Sequence, residues 1–509
     1  MRTFVALTAA TLTLGSSLAL SSPASAHGDK EQREQMRLEG LAASTDGSPI
    51  LSDTVEHVAN IPGQVGISGC FMQTQPLFVT SGLDSLRVFD ITDGTNPTEV
   101  GVLPSTQFEN EAMNCGEQVN DGKRSRFALI GVDLYQTTPD PGGIDHTNVG
   151  GNELIVVDVT DPSAPVIRSR VSDVTTSTHT VTCVVDRNCR YAYSAGTDNR
   201  FSIIDLRNLD KPKEVDSNPD KEGVQGFRSP TAGHKWNFDN AGIGTQTGWG
   251  GSGMFNVDNP RKPKLITTTG EAGAGTDPKF EGYNDFIHHN SMRPNANAFK
   301  PHSPASVKNG NLLLVTEEDY EQTDCTQAGS FQTWKVNSLS GRSKSAIVPL
   351  DKVELSDLQA QQPSTVPQVQ GAFCSSHWFD HRGGKLVAAG FYNGGTQFLD
   401  ISDPRHIRSY GYAYWGPGSQ VWDSRWVPIY DADGKQTGHK SNVAYSIDLV
   451  RGLDVYVVDL GDGRGTQPTP GVSPDRSSVQ RAAGAVLPIG LVGGALALTV
   501  AVRRRTRRA

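Results

Sequence analysis

One short pattern recurs along the chain and narrows its possible folds more than any other feature. It reads LRVFDITDGTNP at 86–97, LIVVDVTDPSAP at 154–165, FSIIDLRNLDKP at 201–212 and TQFLDISDPRHI at 396–407. MFNVDNPRKP (254–263) is a shortened copy, VYVVDLGDG (455–463) a truncated one, and FQTWKVNSLSG (331–341) a degenerate one. Each copy starts with apolar and β-branched residues that read as a buried strand. The Asp or Asn ending that strand can accept hydrogen bonds from backbone N–H groups just ahead and so begin an Asx turn. A proline following in most copies fixes φ and stops the strand. With Asp90, Asp158, Asp205, Asp258, Asn337, Asp400 and Asp459 as markers, successive copies lie 47 to 79 residues apart, and a second strand pair such as TVTCVVDRNCRYAYSAG (180–196) precedes most of them. About four short strands per repeat predict an all-β chain folded as a β-propeller over residues 58–460. Seven blades of four antiparallel strands follow from the marker count, with six or eight open because the fourth and fifth copies are distorted.

LIVVDVTDPSAP and TQFLDISDP closely resemble the LVIVD repeat of bacterial exported proteins, and LRVFDITDGTNP resembles it as well. The resemblance spans roughly residues 60–460. It implies a β-propeller, commonly exported, and implies no particular reaction.

The ends predict where such a propeller works. Arg2, an apolar stretch over 4–20 and Ala24-Ser25-Ala26 read as a signal peptide over 1–26. Residues 27–57 are polar and read as a flexible lead-in, with a short helix open at 30–42. Residues 461–481 are rich in Gly, Pro and Ser and read as a stalk. Residues 482–502 carry no charge, and as a helix they would reach about 30 Å, the thickness of a hydrocarbon core. The basic tail 503–509 would stay cytoplasmic. The expectation is a single-pass cell-membrane protein with its propeller outside. Setting aside Arg2 and the five tail arginines takes the formal charge from −9 to −15, and so acidic an ectodomain excludes nucleic acid as a partner.

The six cysteines fit disulfides in an exported chain. Fifteen pairings are open to six cysteines. Cys183–Cys189 reads as a pair across a turn at Asp186-Arg187-Asn188, while Cys70–Cys115 and Cys325–Cys374 rest on proximity alone.

The chemistry sits with the histidines. His179, His234, His289 and His377 each begin what reads as the innermost strand of four consecutive repeats. If these positions are equivalent, four imidazoles meet on the central channel and could hold Fe, Cu, Zn or Mn. Glu317 and Glu318 could each act as a ligand or as an orienting residue, with Glu317 as the supporting candidate, and His288 could replace His289. The other reading has each histidine bonding the backbone of the next blade. His27, His57, His146, His302, His381, His406 and His439 read as surface or loop residues, and Asp431-Ala-Asp433-Gly as a hairpin turn. No nucleophile motif stands out. Two function classes therefore remain: a membrane-anchored module that binds a protein, glycan or small molecule, and a metal-dependent enzyme, with oxidoreductase chemistry as its candidate reaction.

Overall fold

The computed structural model describes residues 49–468 apart from 63–65, 83–84, 105–107, 110, 112, 133, 136–152, 173, 175–177, 196–198, 270–282, 284–285, 320–323, 341–345, 367–368, 370–373 and 417–418. The strands pair with their sequence neighbours in antiparallel meanders. Gly66–Phe71, Leu77–Gly82, Ser85–Asp90 and Thr98–Pro104 form one sheet; Asn114–Asn120, Lys123–Gly131, Leu154–Asp158 and Val166–Val171 form the next. Then come the sheet opened by Thr180–Cys183, an eight-stranded sheet that joins the repeats opened by Ala232–Phe238 and Ile287–Met292, and the sheet opened by Phe379–Gly383; the last is built on Val421–Tyr430, Gln436–Asp448 and Gly452–Val458. The fold is all-β and propeller-like. Its one described α-helix, Leu355–Gln359, lies in a connection.

Alternation along the repeat strand explains the packing. Ile155 and Val157 join Val79, Val88, Ala128 and Ile130 in a cluster shared with the preceding sheet. Leu154 and Val156 point the other way, to Val181, Ala192 and Ile204 of the following sheet. Side chains alternate across a strand, so a strand packed on both faces must be apolar throughout. That is why LIVV reads as a continuous run and not as an alternating one.

The turn chemistry is more regular than the sequence suggests. Asp90, Asp158, Asp205, Asp400 and Asp459 each accept from the backbone N–H two residues on. A second Asx turn begins three residues later, at Asp93, Asp161, Asn208, Asp403 and Asp462. In the fourth repeat the pair is Asn256 and Asn259, so the marker is Asn256 and not Asp258. In the fifth, Lys335 pairs with Leu312 as Asp90 pairs with Leu77, so the marker position belongs to Lys335 and not Asn337. A hydroxyl turn at Ser338 replaces the second Asx turn there. Both shifts arise because the shortened and degenerate copies kept a polar residue two places downstream that mimics the marker.

The lead-in expected over 27–57 meets the sheets at Ile50. Ile50–Leu51 pairs with Arg408–Tyr414, and Val55–Ile61 pairs with Gly452–Val458. The N-terminal strand thus completes the C-terminal sheet. Val55 has little polar competition for its buried face, yet two residues of strand beside polar neighbours carry too little periodicity to stand out. Residues 461–468 of the expected stalk lie against the sheet, with Asn442 donating to the Gln467 carbonyl and Thr466 to Glu56. Residues 1–26, 482–502 and 503–509 lie outside the described residues, and among the described residues no helix is long and apolar enough to cross a membrane.

The disulfides are Cys70–Cys115, Cys183–Cys189 and Cys325–Cys374. Cys70–Cys115 ties the innermost strands of the first two sheets together. Asp431 accepts from the N–H groups of Asp433 and Lys435, closing the expected hairpin turn, with Gly434 at φ +76°.

Candidate metal centre

Each of the four histidines lies on, or just before, an innermost strand. His179 precedes Thr180–Cys183, His234 lies in Ala232–Phe238, His289 in Ile287–Met292, and His377 precedes Phe379–Gly383. Two of them occupy irregularities in the ladder. The register of Ala232–Phe238 shifts between Gly233 and Lys235, leaving His234 as the extra residue. The register of Ile287–Met292 shifts between His288 and Asn290, leaving His289 likewise. Such bulges turn a side chain out of strict alternation, here toward the axis. His377 is fixed differently. Its N–H donates to the Gly390 carbonyl, and a Cβ at Gly390 would lie 2.7 Å from the Val421 carbonyl oxygen, so only glycine lets the next sheet approach this closely.

The structure brings all four imidazoles together. Successive ring centroids are 4.5 Å apart for His179 and His234, 4.0 Å for His234 and His289, and 4.0 Å for His289 and His377. Two carboxylates complete the group. Glu111 Oε2 contacts His179 Nε2 and lies 3.5 Å from His234 Nε2. Its Oε1 is 2.7 Å from His289 Nε2 and 3.4 Å from His377 Nε2. Glu318 lies 3.6 Å from His289 Nε2 and 3.9 Å from His377 Nε2, and accepts a hydrogen bond from the Tyr392 hydroxyl. All six residues are buried.

The outer nitrogens decide what the inner ones can do. His377 Nδ1 is 2.7 Å from the Trp422 carbonyl, and His234 Nδ1 is 3.2 Å from the His289 carbonyl. A carbonyl only accepts, so both Nδ1 atoms carry hydrogen. In a neutral ring Nε2 is then a lone pair. Burial, followed by the neighbouring His377 and His234, holds the His289 imidazole well below its usual range. The centre therefore combines four imidazoles with two carboxylates.

The sequence reading missed Glu111, and of the two glutamates it offered, Glu318 is the one near the histidines. Glu317 faces away from the histidines: it accepts from the Phe286 N–H, the Ser330 hydroxyl and the Gln332 amide. It is opposite His288, and strand partners share a face. His288 also turns away, toward Ser252 and the Tyr283 carbonyl. Glu318 is the residue on the channel side. Glu111 begins the innermost strand of the second sheet as the histidines begin theirs. A signal was present: Glu111 precedes Cys115, and His179 precedes Cys183, by the same four residues.

The residues that follow three of these histidines, Lys235, Asn290 and Trp378, line a cavity of about 750 Å³ on the next level of the channel. The Trp378 ring lies 4.2 Å from the His289 ring and separates the two levels. Lys235 Nζ lies 4.7 Å from the Trp378 ring centroid. Burial first, then Arg425, lowers the Lys235 ammonium to about 8.

Two histidines outside the cluster give the fold a pH dependence. His381, expected at the surface, is buried because its strand packs against the last sheet, and it titrates at about 4 through burial and then Lys440. Burial likewise lowers His288 to about 4. In the unfolded chain both would titrate near 6.5. Between those values the unfolded chain takes up protons that the folded chain refuses. Their contribution is therefore complete above about pH 6.5 and is lost as pH falls toward 4, by an upper limit of about 3 kcal/mol per histidine. Urea midpoints should fall across that window, and His381→Gln should flatten the slope. An unchanged slope would remove His381 from the account.

The LVIVD repeat family model matches residues 148–173, which hold the strand Leu154–Asp158, its two Asx turns and the returning strand Val166–Val171. The chain carries an LVIVD repeat there, within an all-β, propeller-like fold. No curated protein matches this LVIVD-repeat chain. Among solved structures, the crystal structure of the Myceliophteria thermophila Cps50 (Swd1) β-propeller domain is similar, at 11% identity with a TM-score of 0.47, over 79% of this chain and 99% of that one. Likeness at that level says nothing about what the LVIVD-repeat protein binds.

Proposed function

We propose that this chain is an extracytoplasmic metalloprotein, a seven-bladed propeller that holds one divalent first-row transition ion at its axis. The ligands are drawn from His179, His234, His289 and His377 with Glu111 and Glu318. The observation that carries this reading is the convergence of four imidazoles and two carboxylates in one buried site. His234 Nε2 lies 3.0 Å from His179 Nε2 and 3.5 Å from Glu111, and His377 Nε2 lies 3.4 Å from Glu111 and 3.9 Å from Glu318. Two carboxylates taken this far out of water are costly to keep charged. A divalent ion would balance their charge and accept the ring lone pairs. The spacing suits it too, because ligands about 2.1 Å from one ion lie roughly 3.0–4.2 Å from each other. The two triads Glu111, His234, His289 and His289, Glu318, His377 each keep their ligand atoms within 4.8 Å.

Bound there, iron, copper or manganese would supply one-electron chemistry, and zinc Lewis acidity, in a site closed to bulk water. The chain's own part is to hold the imidazoles aimed. The reading also includes export, a C-terminal membrane helix over 482–502 and a propeller outside the cell. Three disulfides support an oxidising compartment.

Elemental analysis of the purified full-length chain tests the centre. Near-stoichiometric Fe, Cu, Zn or Mn is expected, with His234→Ala plus His377→Ala reducing it to background. A folded protein without metal, or a double variant that keeps it, sinks the proposal. The propeller-like repeat fold also suits an interaction or binding module, and the 750 Å³ cavity favours a ligand-binding role alongside the metal centre.

A further inference from the structure

The level of the channel beyond Trp378 carries chemistry that the metal centre does not use. Lys235 is 5% exposed, and among the described residues its ammonium has no hydrogen bond or ion pair; its contact is the Trp378 ring. The neighbouring cations are engaged: Arg425 is bonded to Asp423, and Lys440 to Asp380 and the His381 carbonyl. Trp378 is 1% exposed, and its indole Nε1–H also has no partner among the described residues. Both residues line the same 750 Å³ cavity, but the indole Nε1 is sealed from it. An ammonium so largely buried and without an acceptor is costly to keep.

We propose that this cavity binds a small organic monocarboxylate, with the carboxylate on the Lys235 ammonium. The unfilled group is a cationic donor, so the missing ligand is an anionic acceptor. Asp186, Asp239, Asp258 and Asp380 also line the cavity. Their charge disfavours a dianion, which selects a carboxylate over phosphate. The space holds a ligand of more than a few atoms, since sites of about 300–1,000 Å³ are typical of small molecules. The inference stands on the cavity and its ammonium, not on a metal being bound.

The test is a ligand-observed NMR titration of the full-length chain with lactate and benzoate, and with inorganic phosphate, before and after chelation. Binding of at least one monocarboxylate with a dissociation constant of about 1 mM or below is expected, together with weaker binding of phosphate. Lys235→Met should weaken binding roughly tenfold or more, because the lost hydrogen bond is charge-assisted. Lys235→Arg, which keeps the charge, should retain most of it. Thermal melts establish that each variant folds. Absence of carboxylate binding, preference for phosphate, or affinity unchanged in a folded Lys235→Met protein would each overturn the proposal. Loss of metal without loss of carboxylate binding leaves it standing and removes only the metal centre.

Discussion

The metal-loaded full-length chain should melt about 5 °C above the same protein after chelation. An ion that binds the folded chain and not the unfolded one stabilises it by RT ln(1 + [L]/Kd), about 4.1 kcal/mol at a thousandfold excess over Kd. Unfolding entropy of about 2.1 cal/mol/K per residue over roughly 400 residues gives about 0.8 kcal/mol per degree. The ratio of the two is the expected shift. Its origin lies in the geometry around Glu111, whose carboxylate reaches imidazoles from four consecutive repeats. Stripping the ion would remove the charge that balances Glu111 and Glu318, so the apo protein loses binding energy where the repeats meet. Returning zinc or iron should restore the higher melt, and calcium or magnesium should not, because imidazole suits the former pair. In His234→Ala plus His377→Ala the gap between untreated and chelated protein should close. An equal gap in that variant would place the responsible ion elsewhere, and no gap in the natural chain would leave the centre without a metal.

The readable parts of this molecule are those in which one physical demand recurs. All but one of the repeat strands end in an Asp or Asn that satisfies a backbone N–H just ahead, so LIVVD and its variants announce themselves. The histidines were readable for a related reason: equivalent positions in a radial array point to one axis, and the side chains of His179, His234, His289 and His377 do meet. What stayed hidden depended on local register. Choosing between Glu317 and Glu318, or His288 and His289, requires knowing that the ladder shifts between His288 and Asn290. A one-residue change of register moves a side chain to the other face, and composition holds no trace of it. Glu111 was hidden because its repeat uses a carboxylate where its neighbours use imidazole. Asp258 and Asn337 misled because Asx chemistry is available to several polar residues near a strand end.

The closing strand is the other feature with a large expected effect. A chain beginning at Gly63 should fail to give a soluble, cooperatively melting monomer, whereas one beginning at Ser48 should melt like the full-length protein. Val55–Ile61 is bonded along Gly452–Val458, so the last sheet borrows its fourth strand from the opposite end of the sequence. Val55 sits in the cluster with Ala444, Tyr456 and Val458, while Ala59 and Ile61 pack against the cluster holding Val455 and Val457. One strand therefore seals both faces of the final sheet. His57 and the Asn60 amide also bond Asp454, which is 1% exposed and is otherwise bonded by Arg451. Removing the strand costs about 1 kcal/mol for each backbone hydrogen bond lost and uncovers a valine-rich edge, the kind that recruits other chains. It also removes the link between chain ends, which is what makes sheets stacked around an axis melt together and not one by one. The measurement is size-exclusion chromatography with calorimetry on the two truncated chains. A Gly63 chain that runs as a monomer and melts in a single transition within about 2 °C of the full-length protein would show that the ring does not depend on this strand.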